Sequence, residues 1–164
     1  MKYQEYYSKA SKFFLNYDYE SLDYEEKSYF YIGSVIFSWI RIESYINMIS
    51  DSLSNSTRIE LHLRKFLLEK ELKVNDDGLF IEVNSRPPTT KKLLFILENF
   101  SRINVQKFKQ TRLWKEVKNF EDLRNKIIHH KDKNNIKISY QKAKEVNELA
   151  DELINFLTKK VFKN

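Results

Sequence analysis

Apolar residues recur at helical spacing along most of the chain, and breaks in that rhythm mark where elements end. The pattern predicts a first helix over Tyr3 to Asn16 and a long second one from about Tyr24 to Leu53. The first half of the second helix is apolar nearly all round, as expected of a central helix in a bundle. Ser54-Asn55-Ser56-Thr57 supplies capping residues, and a third helix is predicted over Arg58 to Leu72. The period then changes. Val74, the Asp77-Gly78 turn and Leu79-Phe80-Ile81-Glu82-Val83 read as a small β-hairpin near residues 74–83. Pro87-Pro88 closes it, and Thr89 or Thr90 can cap a helix through Phe100. Further helices are predicted over Trp114 to about His129 and over Ser139 to Phe162. The expected fold is all-α: a helical bundle with a hairpin insertion, forming a single domain over residues 1–164.

Composition supports that class. With 2 Gly and 2 Pro in 164 residues, few tight turns are available, which argues against a many-stranded sandwich or barrel. The 12 Phe and 10 Tyr provide bulky core filling. Cysteine is absent, which excludes disulfides, thiolate zinc sites and cysteine nucleophiles. Three histidines and scattered carboxylates show no metal-ligand spacing, and two glycines build no phosphate loop, so neither metal nor cofactor is expected. The start MKYQEYYSKA is unlike a secretory signal, and the longest apolar run, Tyr29 to Ile40, is broken by Gly33, Ser34 and Ser38. A soluble cytoplasmic protein without membrane contact is therefore the expectation.

The net charge of +6 is unevenly spread. Between Ser101 and Tyr140 eleven Lys or Arg face four acids, a balance of +7 that exceeds the total for the whole chain. Such a stretch is either a solvated helix surface or a patch that concentrates polyanions.

One residue breaks the apolar rule. On a helical wheel at about 100° per residue, Leu113, Val117, Phe120, Leu123, Ile127 and Ile128 fall within roughly 80° of Leu113. Arg124 lies at about 20° on the same wheel, within that stripe. A guanidinium cannot shed its charge, so it needs partners or a polar cavity there. Glu43 and Asn47 share a face of the second helix with Ile32, Ile36, Trp39 and Ile40, and offer such partners. The two readings are a buried structural pair and a polar pocket that holds Arg124 for an anion. Two of the three histidines, His129 and His130, follow within six residues. On an unbroken helix His129 points about 140° away from Arg124. The two converge if the helix ends near His129, as the polar Lys131-Asp132-Lys133-Asn134-Asn135 suggests, or if a second copy brings its own pair alongside. His62 stands alone, without a partner pattern.

At these positions the chain resembles the HEPN superfamily of small helical bundles, many of which are metal-independent endoribonucleases. The signature, Arg followed by a polar residue and then His after four to six positions, reads here Arg124-Asn125-Lys126-Ile127-Ile128-His129, with His130 at the longer spacing. Glu43-Ser44-Tyr45-Ile46-Asn47 is similar to the second-helix pattern of several branches, and the likeness extends from about Tyr24 to the C-terminus. The resemblance implies RNA cleavage by the substrate's own 2′-hydroxyl, with His129 (or His130) as general acid or base, Arg124 on the phosphate and Asn125 positioning. Lys126, Lys131 and Lys133 then serve as RNA contacts. It also implies a two-fold homodimer with a composite site, and a toxin or phage-defence role with a protein antitoxin as partner. One departure is visible: some relatives carry a nucleotidylated Tyr two positions after the His, where this chain has Lys131. The competing expectations are a catalytically silent bundle that binds nucleic acid, nucleotide or protein, and a structural protein in which Arg124 only pairs with Glu43.

Overall fold

The computed structural model describes residues 2–17, 19–56, 58–129 and 136–162. Its elements are α1 (Lys2–Asn16), α2 (Tyr24–Ser54), α3 (Leu61–Leu67), β1 (Lys70–Val74), β2 (Phe80–Asn84), α4 (Thr89–Phe100), α5 (Val105–Lys109), α6 (Arg112–Ile128) and α7 (Tyr140–Val161). The protein is mostly helical with one small antiparallel hairpin, the class its periodicity predicts.

α2 is the axis of the bundle. A capping box starts it: the Asp23 carboxylate accepts from the Glu26 amide at 2.8 Å, and the Glu26 carboxylate accepts from the Asp23 amide at 3.0 Å. Val35, Trp39, Ile42, Ile46 and Ile49 are buried along it. They join one core with Leu93, Ile96 and Leu97 of α4, Val117 and Phe120 of α6, and Ala143, Ala150, Leu153 and Leu157 of α7. Trp39 meets Phe120 edge to face at 5.1 Å, locking α2 to α6. The serines that interrupt the apolar run serve packing. Ser34 donates to the Ser11 carbonyl at 2.9 Å and accepts from the Asn147 amide at 2.7 Å, a buried chain joining α1, α2 and α7. At Gly33 a Cβ would stand 3.2 Å from the Phe14 ring, so glycine sets how closely α1 approaches. None of the described helices is long and apolar enough to cross a membrane.

Three local expectations are corrected. The third helix stops at Leu67 instead of reaching Leu72, because Glu69 turns left-handed (φ 56°) and the chain pairs as β1. α5 has no counterpart in the sequence reading; its five residues lie between an Asn104 cap and the Thr111 cap of α6, too short to display a period. Thr89 and Thr90 lie inside α4, whose N-cap is Pro88, and their hydroxyls bond to carboxylates of other helices.

Candidate functional site

α6 carries the signature. Thr111 caps its start by accepting from the Trp114 amide, and it ends at Ile128, with His129 as C-cap donating its amide to the Asn125 carbonyl at 2.9 Å. The helix therefore stops where the signature's histidine begins. Arg124 sits one turn before that end, with 26% of its side chain exposed. The apolar stripe it interrupts thins out there: Leu113, Val117 and Phe120 are buried, Leu123 and Ile127 partly so, and Ile128 is exposed. Arg124 thus lies at the rim of the core.

Its surroundings hold it without saturating it. Nη1 donates to Asn125 Oδ1 at 3.1 Å, and Nη2 lies 3.9 Å from Glu43 Oε1, beyond direct hydrogen-bond range. Glu43 Oε1 in turn accepts from the Thr89 hydroxyl at 3.0 Å. Among the described residues, these are the polar partners of the guanidinium and of its carboxylate. A half-buried cation whose partners among the described residues are one amide oxygen and one distant carboxylate can take a second anion.

The other expected residues divide. Asn47 stands one turn along α2 from Glu43 but serves elsewhere: its Oδ1 accepts from Lys92 Nζ at 2.7 Å. Lys92 is almost wholly buried and also donates to Glu69 Oε1 at 3.0 Å, so Asn47 belongs to the anchor of the hairpin's root. Lys126 and His129 are exposed. His130, Lys131 and Lys133 fall outside the described residues. His62 is an exposed surface residue near Glu60. Among the described residues no group of His, Asp and Glu is arranged to hold a metal ion.

Beside Asn125 a groove of about 410 Å³ opens between α4 and α6, lined among others by Lys91, Lys109, Trp114, Lys118 and Asp122. Trp114, Lys118 and Asn125 follow one face of α6, since eleven residues advance a helix by nearly whole turns and about 16 Å. Glu121, also at the groove, is already satisfied. The Thr90 hydroxyl donates to both its oxygens, at 2.9 and 3.1 Å, and the Lys118 ammonium is in contact. Lys91 and Lys109, both exposed, therefore dominate its sign. The opposite groove, between α6 and α7, is acidic, with Glu116, Glu145, Glu148 and Glu152. There Arg112 bonds Glu152 at 2.6 Å and Glu116 at 2.5 Å, and these carboxylates, Glu152 first, push its pKa up. The basic stretch of the sequence is thus split between two faces. Lys91, Lys109, Trp114 and Lys118 were missed as a set because they come from three separate elements. Lys92 had a signal: it stands one turn before the buried Ile96, on the same face of α4.

Compared with family models, curated proteins and solved structures, the chain finds no match in any of the three.

Proposed function

We propose that the protein is a HEPN-type, metal-independent endoribonuclease whose catalytic groups are Arg124 and His129. The observation that carries this reading is the state of Arg124: half-buried, held at 3.9 Å from Glu43, and one turn from the helix end where His129 stands. A merely structural arginine would be expected to close on its carboxylate. This one keeps donors for a phosphodiester.

In the reaction, the 2′-hydroxyl of RNA attacks the neighbouring phosphorus and the bond to the 5′-oxygen breaks, leaving a 2′,3′-cyclic phosphate. One imidazole takes the proton of the attacking hydroxyl and another proton reaches the departing oxygen, work suited to a group titrating near neutrality. Arg124 neutralises charge growing on the phosphoryl oxygens, and Asn125, bonded to it, fixes its orientation. His130 is the alternative to His129, and Lys126, Lys131 and Lys133 supply phosphate contacts. A two-fold homodimer would bring two Arg-His pairs to one cleft and provide both proton carriers. A toxin or phage-defence role, in a cytoplasmic protein restrained by a protein antitoxin, fits such an activity.

The test is cleavage of single-stranded RNA in EDTA. Wild type is expected to release products ending in 2′,3′-cyclic phosphate and to spare a substrate with a 2′-deoxy linkage. Arg124→Ala and His129→Ala are each expected to lose at least 10²-fold. Cleavage unchanged in both variants ends the assignment.

A second reading, binding without cleavage, is favoured by the groove of Lys91, Lys109, Lys118 and Trp114, which suits a single strand without any histidine. RNA binding with no cleavage product would select it.

A further inference from the structure

The hairpin carries an open edge whose sequence is complementary to itself. Its register pairs Glu71 with Val83, Leu72 with Glu82 and Lys73 with Ile81. Ser85 donates to the Glu69 carbonyl at 2.7 Å, and Asn75 donates to the Leu79 carbonyl at 2.9 Å. In an antiparallel ladder the hydrogen-bonded pairs alternate, so Glu71 and Lys73 turn their main-chain groups toward β2. Lys70, Leu72 and Val74 turn theirs outward. Among the described residues no third strand and no backbone bond covers them. Leu72, Val74 and Phe80, which share one face, are 47%, 59% and 76% exposed. An uncovered two-stranded sheet with apolar side chains in water is marginal by itself and offers a template to another strand.

We propose that β1 pairs antiparallel with β1 of a second copy, across a two-fold axis through Leu72, to make a four-stranded sheet from two hairpins. The main-chain parity permits this centre: Leu72 faces its own copy as a hydrogen-bonded pair, and Lys70 and Val74 of each chain form the pairs on either side. On one face Leu72 packs on Leu72. On the other, each Glu71 stands opposite the partner's Lys73, as cross-strand pairs of opposite charge should. A slip by two residues in one direction sets Glu71 against Glu71, and in the other Lys73 against Lys73. Centring on Lys70 opposes two lysines, and centring on Val74 shortens the overlap. On the outer edge of β2 a two-fold centre at Glu82 opposes two carboxylates, and centres at Ile81 or Val83 bring no opposite charges together. Cross-strand attraction therefore favours the β1 edge centred on Leu72.

This interface stands on the hairpin alone; it needs neither ribonuclease activity nor the composite site considered above. The root of the hairpin also lies near the residues discussed above. Lys92 ties Glu69, at the hairpin's root, to Asn47, one α2 turn from Glu43.

Sedimentation equilibrium of the full chain tests it. Wild type is expected to dimerise reversibly. Glu71→Lys and Lys73→Glu are each expected to weaken the dimer about tenfold or more, because each replaces two attractive cross-strand pairs by repulsive ones. The double swap Glu71→Lys/Lys73→Glu should restore it, and mixing the two single variants should yield a heterodimer although neither self-associates. Leu72→Pro removes an outward amide and should also give monomers, while circular dichroism verifies that each variant stays folded. A wild type that is monomeric at all concentrations overturns the proposal. So does a dimer that both single swaps leave unchanged, or an edge whose amide signals shift only when RNA or another protein is added. RNA cleavage assayed in parallel separates the two proposals, since a dimer without activity retains this one.

Discussion

At the scale of single residues, Arg124 and Glu43 set apart two kinds of ion pair. A tight buried pair loses several kcal/mol when one member goes, because the other is left uncompensated. Here the separation is 3.9 Å and both side chains keep a quarter to a third of their exposure, so solvent screens the interaction. Arg124→Ala is accordingly expected to change unfolding free energy by about 1 kcal/mol or less, read by urea denaturation, while abolishing cleavage. A loss of several kcal/mol with cleavage intact would return Arg124 to a structural role. Tyr19 makes the opposite case. It is 5% exposed, its hydroxyl donates to the Phe14 carbonyl at 2.8 Å, and burial, more than the neighbouring Tyr31 and Tyr17, pushes its pKa up to about 12. The fold favours the neutral phenol over the unfolded chain, so this stability is fully present below about pH 10 and is lost as pH rises toward 12. The loss should reach about 2 kcal/mol in denaturation curves across that window, and Tyr19→Phe should flatten it. The angular position of Arg124 was legible in the sequence. Its depth was not, because a helical wheel discards the axial coordinate, and α6 runs out of core before its last turn.

Among elements, the hairpin shows what local sequence could and could not specify. The Asp77-Gly78 turn places Gly78 at φ 77°, where glycine is at ease, and the second strand followed from the short apolar run after that turn. The first strand did not, since Leu68-Glu69-Lys70-Glu71-Leu72 is made of good helix formers. Tertiary contacts decide against that propensity. Glu69 adopts a left-handed backbone that costs about 1 kcal/mol, and its side chain is held by the buried Lys92. Lys92→Met keeps the packing volume while Asn47, which is exposed, and Glu69, which is partly so, rehydrate. Global stability is therefore expected to stay within about 1 kcal/mol. Amide exchange in Lys70–Val74 and Phe80–Asn84 should nonetheless accelerate, as the root of the hairpin loses its tether. Uniform acceleration across all helices would instead mark Lys92 as part of the global core.

On the scale of the whole molecule, the sequence disclosed an excess of basic charge but not where it points. Linear counting over residues 101–140 joins cations that α6 separates onto two faces: Arg112 faces the acidic groove against α7, whereas Lys118 faces the groove against α4. Chain folding adds Lys91, from outside that stretch, to the second face. Polyanion binding should follow the folded arrangement. If Lys91 and Lys109, the cations there not paired with Glu121, each engage one phosphate of a single strand, counterion release gives log Kd against log salt a slope of magnitude about 1.4. Trp114, the half-buried one of the two tryptophans, should lose fluorescence when a base stacks on it, whereas Trp39 is sealed in the core. His129→Ala, which should bind without cutting, is the protein for the titration. Lys91→Ala and Lys109→Ala are each expected to reduce the slope by about 0.7, whereas Lys142→Ala, on the acidic side, should leave it unchanged. A slope insensitive to Lys91 and Lys109 but lowered by Lys126→Ala would move the strand off the groove and onto the end of α6.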